Sequence, residues 1–196
     1  MSELIFIIDP MCSWCWGFHP IIEELRLKHT DKYKYSLVVG GLRTKGQMTW
    51  NTQNKDYLRQ NWNAVTLRTW QPFSYTLLNK PNFNYDTYPA CKAIITVREL
   101  WGDRASFEYL AAIQKAFYAE GIDITNLHTL TSYITQDKEG FLSFYQSERA
   151  ELLMQHDFSK ARCMGVNSFP SVIKIDTDGH MFCLKGYRNL EEILKI

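Results

Sequence analysis

The chain has 196 residues, of which 45% are hydrophobic, and its formal net charge at pH 7 is +1. That length and apolar content suit one domain with an ample core, or one domain with a large insertion. Basic residues are scattered and balanced by acids, so the sequence predicts no nucleic-acid or anionic-membrane partner. No apolar run approaches the roughly 20 residues that a membrane span needs. The first residues also lack the basic segment and apolar core of a secretory signal, so we expect a cytoplasmic protein, with a removed signal as the alternative.

The first 30 residues predict a strand that leads directly into a helix. Residues 4–8 form a short apolar run, and residues 4–9, which Pro10 ends, predict a buried strand. A helical pattern follows over residues 13–29. Pro20 lies inside this pattern and should kink the helix, because it removes one backbone donor.

Two cysteines, Cys12 and Cys15, lie where this strand ends and the helix begins. Backbone N–H groups at a helix N-terminus are unpaired and carry partial positive charge, which stabilises a thiolate there. Cys15 follows one helical turn later. It can attack a mixed disulfide between Cys12 and a substrate, and so form an intramolecular Cys12–Cys15 disulfide. The pair therefore predicts redox chemistry with Cys12 as the nucleophile. Asp9 is expected to cap the turn before Pro10, with an influence on the proton balance of Cys15 as the alternative.

The rest of the chain predicts a second strand, a helical block and a final hairpin. Residues 35–39 read YSLVV and complete a βαβ unit, which implies parallel strands and a right-handed crossover. Residues 50–156 show little strand character and predict helices, with aromatic side chains packing between them, at 56–67, 89–101, 105–119, 126–135 and 139–154. A strand begins just after Pro170, and an Asp-Gly turn at 176–179 joins it to a return strand. A C-terminal helix is predicted over residues 189–196.

The three other cysteines, Cys91, Cys163 and Cys183, are widely spread along the chain. An odd total of five, with a single close pair, does not indicate a secreted disulfide scaffold. Free cysteine usually behaves as a small apolar residue, so we expect all three in the core.

Three segments together resemble the DsbA family of the thioredoxin superfamily, closest to its signal-less, FrnE-like members; they are DPMCSWCWGF (9–18), YPACKA (88–93) and GVNSFPS (165–171). The predicted order of elements is that of a thioredoxin fold, and a helical block between its halves marks the DsbA branch. The resemblance implies an α/β, thioredoxin-like fold with an inserted helical domain. The thioredoxin-like domain would comprise residues 1–45 and 157–196, and the insertion residues 46–156.

The resemblance also implies roles for individual residues. Cys12 corresponds to the attacking cysteine and Cys15 to the resolving cysteine. Pro170 corresponds to the cis-proline opposite the CxxC motif, and Phe169 to the preceding residue, whose backbone pairs with an extended substrate. Trp14 stands where many disulfide oxidants of the family carry a histidine. It should add apolar surface for substrate and make the couple less oxidising than that of periplasmic DsbA.

We therefore expect a thiol–disulfide oxidoreductase whose substrates are protein or small-molecule disulfides, or dithiols in the reverse direction. In a reducing cytosol the expected direction is reduction, with electrons supplied by glutathione or a thioredoxin system. This chemistry requires no metal and no organic cofactor.

Four other interpretations of the cysteine pair remain open. A zinc site needs four ligands, but the chain has no second CxxC and its five histidines are dispersed. A glutathione-dependent enzyme of the kappa transferase or hydroxychromene-carboxylate isomerase type resembles the same fold, but typically carries serine at the position of Cys12. A non-enzymatic chaperone would dock peptides on the helical block. A structural disulfide at a helix start would be strained and labile.

Overall fold

A computed structural model describes residues 1–196 of the protein. The strands are β1 (Ser2–Ile8), β2 (Tyr33–Val39), β3 (Ser171–Ile175) and β4 (Met181–Lys185). The helices are α1 (Ser13–Lys28), α2 (Thr52–Thr69), α3 (Tyr88–Tyr118), α4 (Leu127–Ser132), α5 (Lys138–Tyr145), α6 (Glu148–Cys163) and α7 (Leu190–Leu194). A short 3₁₀ helix covers Leu77–Asn79.

The four strands form one sheet in the order β2-β1-β3-β4. The β1 and β2 strands are parallel, with Ile8 opposite Val39, and α1 makes the crossover between them. The β3 strand pairs antiparallel with β1 on one side and with β4 on the other. The predicted βαβ unit and final hairpin are confirmed, and so is the thioredoxin-like fold with helices inserted between its two halves.

Both faces of the β1 strand are covered, which explains its continuous apolar sequence. Every residue from Leu4 to Ile8 is at most 2% exposed. Successive side chains of a strand point to opposite faces. Phe6 therefore joins the main core with α1 and α3, whereas Ile5 and Ile7 pack with Ala161 of α6 on the other face.

The helical segment departs from prediction at residues 139–154, which do not form one helix. The α5 helix ends at Tyr145 and α6 begins at Glu148. The Ser147 hydroxyl accepts a hydrogen bond from the Ala150 N–H at 3.2 Å and so caps α6. The predicted division near residue 102 is present, because Gly102 interrupts α3 with a φ of 84°.

Aromatic side chains pack the helical segment, as expected. Trp62 is fully buried, and its ring centroid lies 5.3 Å from that of Phe73 and 5.4 Å from that of Tyr118. Tyr57 and Trp70 are the exceptions, at 51% and 88% exposed, and Trp70 adopts a left-handed φ of 61° at the end of α2.

One buried ion pair ties the inserted helices to the sheet. The Arg98 guanidinium on α3 donates to both carboxylate oxygens of Asp157 on α6, at 2.7 and 3.0 Å, and to the Leu37 carbonyl at 2.5 Å. The same carboxylate accepts the Val39 N–H at 3.0 Å. The α6 helix continues through residue 157, where the predicted thioredoxin-like domain resumes after the insertion, so this helix belongs to both predicted domains. The division into two domains stays a prediction.

None of the seven α-helices combines the length and the apolar character that a membrane span requires.

Candidate active site

The two cysteines lie at the carboxyl end of β1, in the first turn of α1. Cys12 is the N-cap residue of α1, with extended backbone angles (φ −94°, ψ 118°). Its carbonyl accepts the N–H groups of Cys15 at 3.0 Å and of Trp16 at 3.1 Å. The thiol therefore sits at the end of the helix where backbone N–H groups are unpaired, as the sequence predicts.

The chain brings Cys12 against the segment that precedes β3. The Cys12 thiol donates to the carbonyl oxygen of Phe169 at an S–O distance of 3.4 Å, although the two residues are 157 positions apart. The peptide bond between Phe169 and Pro170 is cis. The site thus unites four of the five predicted site residues around one sulfur: Cys12, Cys15, Phe169 and Pro170.

The two sulfurs have different access to solvent. Cys12 is 6% exposed and Cys15 is fully buried. Burial raises the pKa of the Cys15 thiol well above its usual range, and the hydrogen bond and charge of Cys12 raise it further. An incoming disulfide can therefore reach Cys12 first, while Cys15 stays protonated behind it.

Asp9 is fully buried beneath the cysteines and holds two backbone segments together. Its carboxylate accepts the Met11 N–H at 2.9 Å, which caps the turn as expected, and the Leu42 N–H at 2.6 Å. Burial raises the pKa of Asp9, and the N–H groups of Leu42 and Met11 oppose that rise. Burial and Cys12 raise the pKa of Cys15 most; a hydrogen bond with the Asp9 backbone lowers this pKa, and a charge on the Asp9 side chain raises it. Both roles considered for Asp9 are therefore compatible with its position.

The sequence model of the family described as thioredoxin matches residues 5–195. The chain belongs to the thioredoxin family. Its inserted helices give it the architecture of the DsbA-like members, as the sequence segments predict, whereas assignment to the FrnE-like branch stays a prediction.

Similar solved structures cover almost the whole of this thioredoxin-family chain. A candidate protein disulfide isomerase from Nitrosomonas europaea is 28% identical, with a TM-score of 0.87, over 99% of this chain and 94% of that one. The cytosolic disulfide reductase DsbM from Pseudomonas aeruginosa is 23% identical, with a TM-score of 0.77, over 93% of this chain and 89% of that one. DsbM has also been solved with GSH.

Curated relatives are more distant. The ClpXP adapter protein SpxH from Bacillus licheniformis is 24% identical over 173 residues, which cover 87% of this chain and 56% of that protein. The match therefore spans little more than half the length of that adapter.

Trp14 lies on the rim of the thioredoxin-family site rather than at the sulfur contact with Phe169. It is partly exposed, and its ring centroid lies 5.9 Å from that of Tyr187. The next tryptophan, Trp16, is buried and donates its indole N–H to the Pro72 carbonyl at 3.0 Å. The helical segment is thereby joined to the CxxC helix.

Sequence reasoning missed Tyr85, which supports the turn before Cys12. Its buried hydroxyl donates to the Met11 carbonyl at 2.8 Å and lies 3.3 Å from the Tyr118 hydroxyl. Nothing in the sequence distinguishes Tyr85 from the other aromatic residues of the segment, because its partner is 74 residues away.

The expectation that all three remaining cysteines are buried is wrong for two of them. Cys91 is fully buried, and its thiol donates to the Asp9 carboxylate at 3.7 Å. Cys163 and Cys183 are exposed, since Cys163 ends α6 and Cys183 lies on the edge strand β4. A position at a helix end or on an edge strand outweighs the usual preference of free cysteine for the interior.

One group of side chains has the composition of a metal site: Asp176, Asp178 and His180 in the β3–β4 turn. The Asp176 carboxylate already accepts the Asp178 and His180 N–H groups at 2.9 Å. These contacts are those of a turn that the Asp side chain stabilises.

Proposed function

We propose that the protein is a thiol–disulfide oxidoreductase that uses Cys12 as its nucleophile and Cys15 as its resolving thiol. The observation that carries the proposal is the arrangement around Cys12. Its sulfur lies at a helix N-terminus and beside the Phe169 backbone, and the buried Cys15 lies one turn behind it.

The reaction follows from this arrangement. The Cys12 thiolate attacks one sulfur of the substrate disulfide, the substrate S–S bond breaks, and the leaving sulfur departs as a thiolate that takes a proton. Cys15 then loses its proton and attacks the Cys12 sulfur, which releases the second substrate thiol. Two electrons have passed to the substrate and a Cys12–Cys15 disulfide remains. Glutathione or a dithiol protein of the thioredoxin type would reduce it again.

Trp14, Phe169 and Pro170 are proposed to contact the substrate. Phe169 and Pro170 border the Cys12 sulfur, and Trp14 presents a partly exposed side chain from the same helical turn, between the two cysteines. A protein disulfide flanked by apolar residues suits this rim, since aromatic side chains provide most of the contact energy at such surfaces.

The proposed direction is disulfide reduction in the cytoplasm, with glutathione as a source of electrons. The similarity to a cytosolic disulfide reductase that has been solved with GSH supports this choice. Trp14 in place of a charged residue between the cysteines supports it as well, because it adds no charge that would stabilise the reduced form.

The test is reduction of insulin by dithiothreitol or glutathione. The protein should accelerate it, Cys12→Ser should abolish the acceleration, and Cys15→Ser should accumulate mixed disulfides with substrate. The Cys163→Ser/Cys183→Ser variant is the matched control, because it removes both exposed thiols and should keep full activity. Full activity of Cys12→Ser would refute the mechanism.

A binding function independent of the cysteines is the second candidate, because the curated relatives are adapter proteins. The variant with Cys12 and Cys15 both changed to serine separates the two. An adapter or chaperone would keep its effect on client binding or aggregation in this variant, whereas an oxidoreductase would lose all activity.

A glutathione transferase or isomerase is tested with the Cys12→Ser variant alone. That variant carries the serine that such enzymes typically use. Conjugation or isomerisation that persists in it, with no insulin reduction by the unaltered protein, would favour this class.

A further inference from the structure

Gly40, just after β2, packs against Phe169, the residue whose carbonyl oxygen accepts the hydrogen bond of the Cys12 thiol. Gly40 follows Val39, the last residue of β2, and its N–H donates to the Ile8 carbonyl at 2.8 Å. A β-carbon at Gly40 would lie 2.0 Å from Cε1 and 2.3 Å from Cζ of the Phe169 ring. Real β-carbon contacts are essentially never shorter than 3.0 Å.

The need for glycine at this position comes from the ring and not from the backbone. The φ of Gly40 lies outside the left-handed region, so its backbone suits any residue, in contrast to Gly41 with a φ of 69°. The Phe169 ring therefore packs directly against the α-carbon of Gly40, in the space that a β-carbon would fill.

The carbonyl of the same phenylalanine accepts the Cys12 thiol hydrogen at 3.4 Å. A ring seated on Gly40 limits where its own backbone can move, since the ring is joined to that backbone through two rotatable bonds only. We propose that Gly40 is a positioning residue, which fixes the Phe169 carbonyl against the Cys12 sulfur. This inference rests on the proposed redox function.

A carbonyl oxygen accepts a hydrogen from the thiol, but has nothing to accept from a thiolate or from a disulfide. The contact therefore stabilises the reduced, protonated state of Cys12 alone. Displacement of the Phe169 ring by Gly40→Ala should weaken this contact. Alkylation of Cys12 should become faster and reduction of the Cys12–Cys15 disulfide by glutathione less complete.

The experiment measures both quantities in the Cys163→Ser/Cys183→Ser background, so that no exposed thiol competes. We expect Gly40→Ala to accelerate alkylation of Cys12 by iodoacetamide at pH 7 about threefold, the lower range for the loss of one hydrogen bond. The equilibrium constant for disulfide reduction by glutathione should fall by a similar factor, about threefold.

The Phe169→Ala background separates positioning from a general structural effect. It lacks the ring, so it should show the accelerated alkylation by itself, and Gly40→Ala should add nothing to it. Such non-additive effects of the two substitutions would show that Gly40 and the Phe169 ring act on Cys12 through the same contact. Gly140→Ala is the matched control. It also places a β-carbon against a side chain, 2.4 Å from the carboxylate of Asp137, which caps α5, and should change neither quantity.

Three results would overturn the inference: an unchanged alkylation rate in Gly40→Ala, the same effect of Gly40→Ala with and without the Phe169 ring, or wild-type alkylation in Phe169→Ala. The last comparison holds even when Gly40→Ala fails to fold. Alkylation requires no turnover, so a protein that is inactive towards insulin, and thus fails the proposed function, still tests the role of Gly40.

Discussion

Two buried aspartates fasten the end of β2 to its surroundings, in different ways. Asp157, on the outer side of the sheet, accepts the Val39 N–H and forms a two-point ion pair with Arg98. Asp9, beneath the cysteines, accepts the Leu42 and Met11 N–H groups and the Cys91 thiol. No basic side chain lies within salt-bridge distance of Asp9, and Arg43 acts on it only through a weaker, longer-range attraction.

The difference separates a buried carboxyl group that has a charged partner from one that has none. Asp157 is paired directly with the Arg98 guanidinium, and loss of either side chain would leave the other charge unpaired. A buried carboxyl that has only neutral hydrogen-bond donors has a raised pKa and can take up a proton near the cysteines. Three variants test this comparison, in order of decreasing effect.

The largest effect is expected for Asp157→Ala. It leaves the Arg98 guanidinium, which is 21% exposed, without its partner, and it removes the acceptor of the Val39 N–H. Loss of one partner of a buried pair costs about 3–5 kcal/mol, and the partial exposure of Arg98 places our expectation near 3 kcal/mol. Urea unfolding measures it.

The double variant Arg98→Met/Asp157→Leu is the control for Asp157→Ala, because it removes the unpaired charge and should recover much of the loss. A free energy of unfolding within about 0.5 kcal/mol of wild type for Asp157→Ala would show that the ion pair does not hold the helices to the sheet.

Asp9→Asn should have a smaller effect that depends on pH. The amide keeps one acceptor oxygen and replaces the other with an NH2 group, so either the Met11 or the Leu42 N–H loses its partner, at about 1–3 kcal/mol for a buried donor. The folded-state pKa of Asp9 is raised above its usual value of 3.8. Its contribution to stability is therefore fully present below pH 3.8 and is lost as the pH rises through the folded-state pKa.

The advantage of wild type over Asp9→Asn should thus shrink between acidic and neutral pH. Urea unfolding of both proteins across this range gives the difference. An advantage that grows with pH would mean that the Asp9 carboxylate is stabilised as an anion, and the contrast with Asp157 would disappear.

The smallest effect is expected for Arg43→Met. The Arg43 charge lowers the pKa of Asp9, against the larger effect of burial, so its removal should raise that pKa further and move the pH dependence to higher pH. The Arg43 guanidinium lies 5.2 Å from the Tyr85 ring, and methionine keeps most of that packing. We expect a change in stability below about 1 kcal/mol, typical of a partly exposed charge. A shift of the pH dependence to lower pH would contradict the assignment.

Much of the fold could be predicted from local sequence patterns. The apolar run before Pro10, the helical pattern after it and the Asp-Gly turn at residues 176–179 placed the strands and hairpin, because each depends on residues close together in the chain. The break between α5 and α6 was missed, since Ser147 is one of many hydroxyl residues and only the packed helices decide which of them becomes a cap.

The sequence by itself determined that Cys12 and Cys15 lie at a strand–helix junction. The apolar run before Pro10 and the helical pattern after it are local, and they locate the junction without any distant contact. The family resemblance also placed Phe169 and Pro170 opposite these cysteines. Only the tertiary structure showed that the Cys12 thiol contacts the Phe169 carbonyl and that the Phe169 ring packs against Gly40, because both contacts join distant segments. The same holds for the unequal partners of Asp9 and Asp157. Burial and charge pairing depend on how helices and sheet pack together, and no local pattern records that packing.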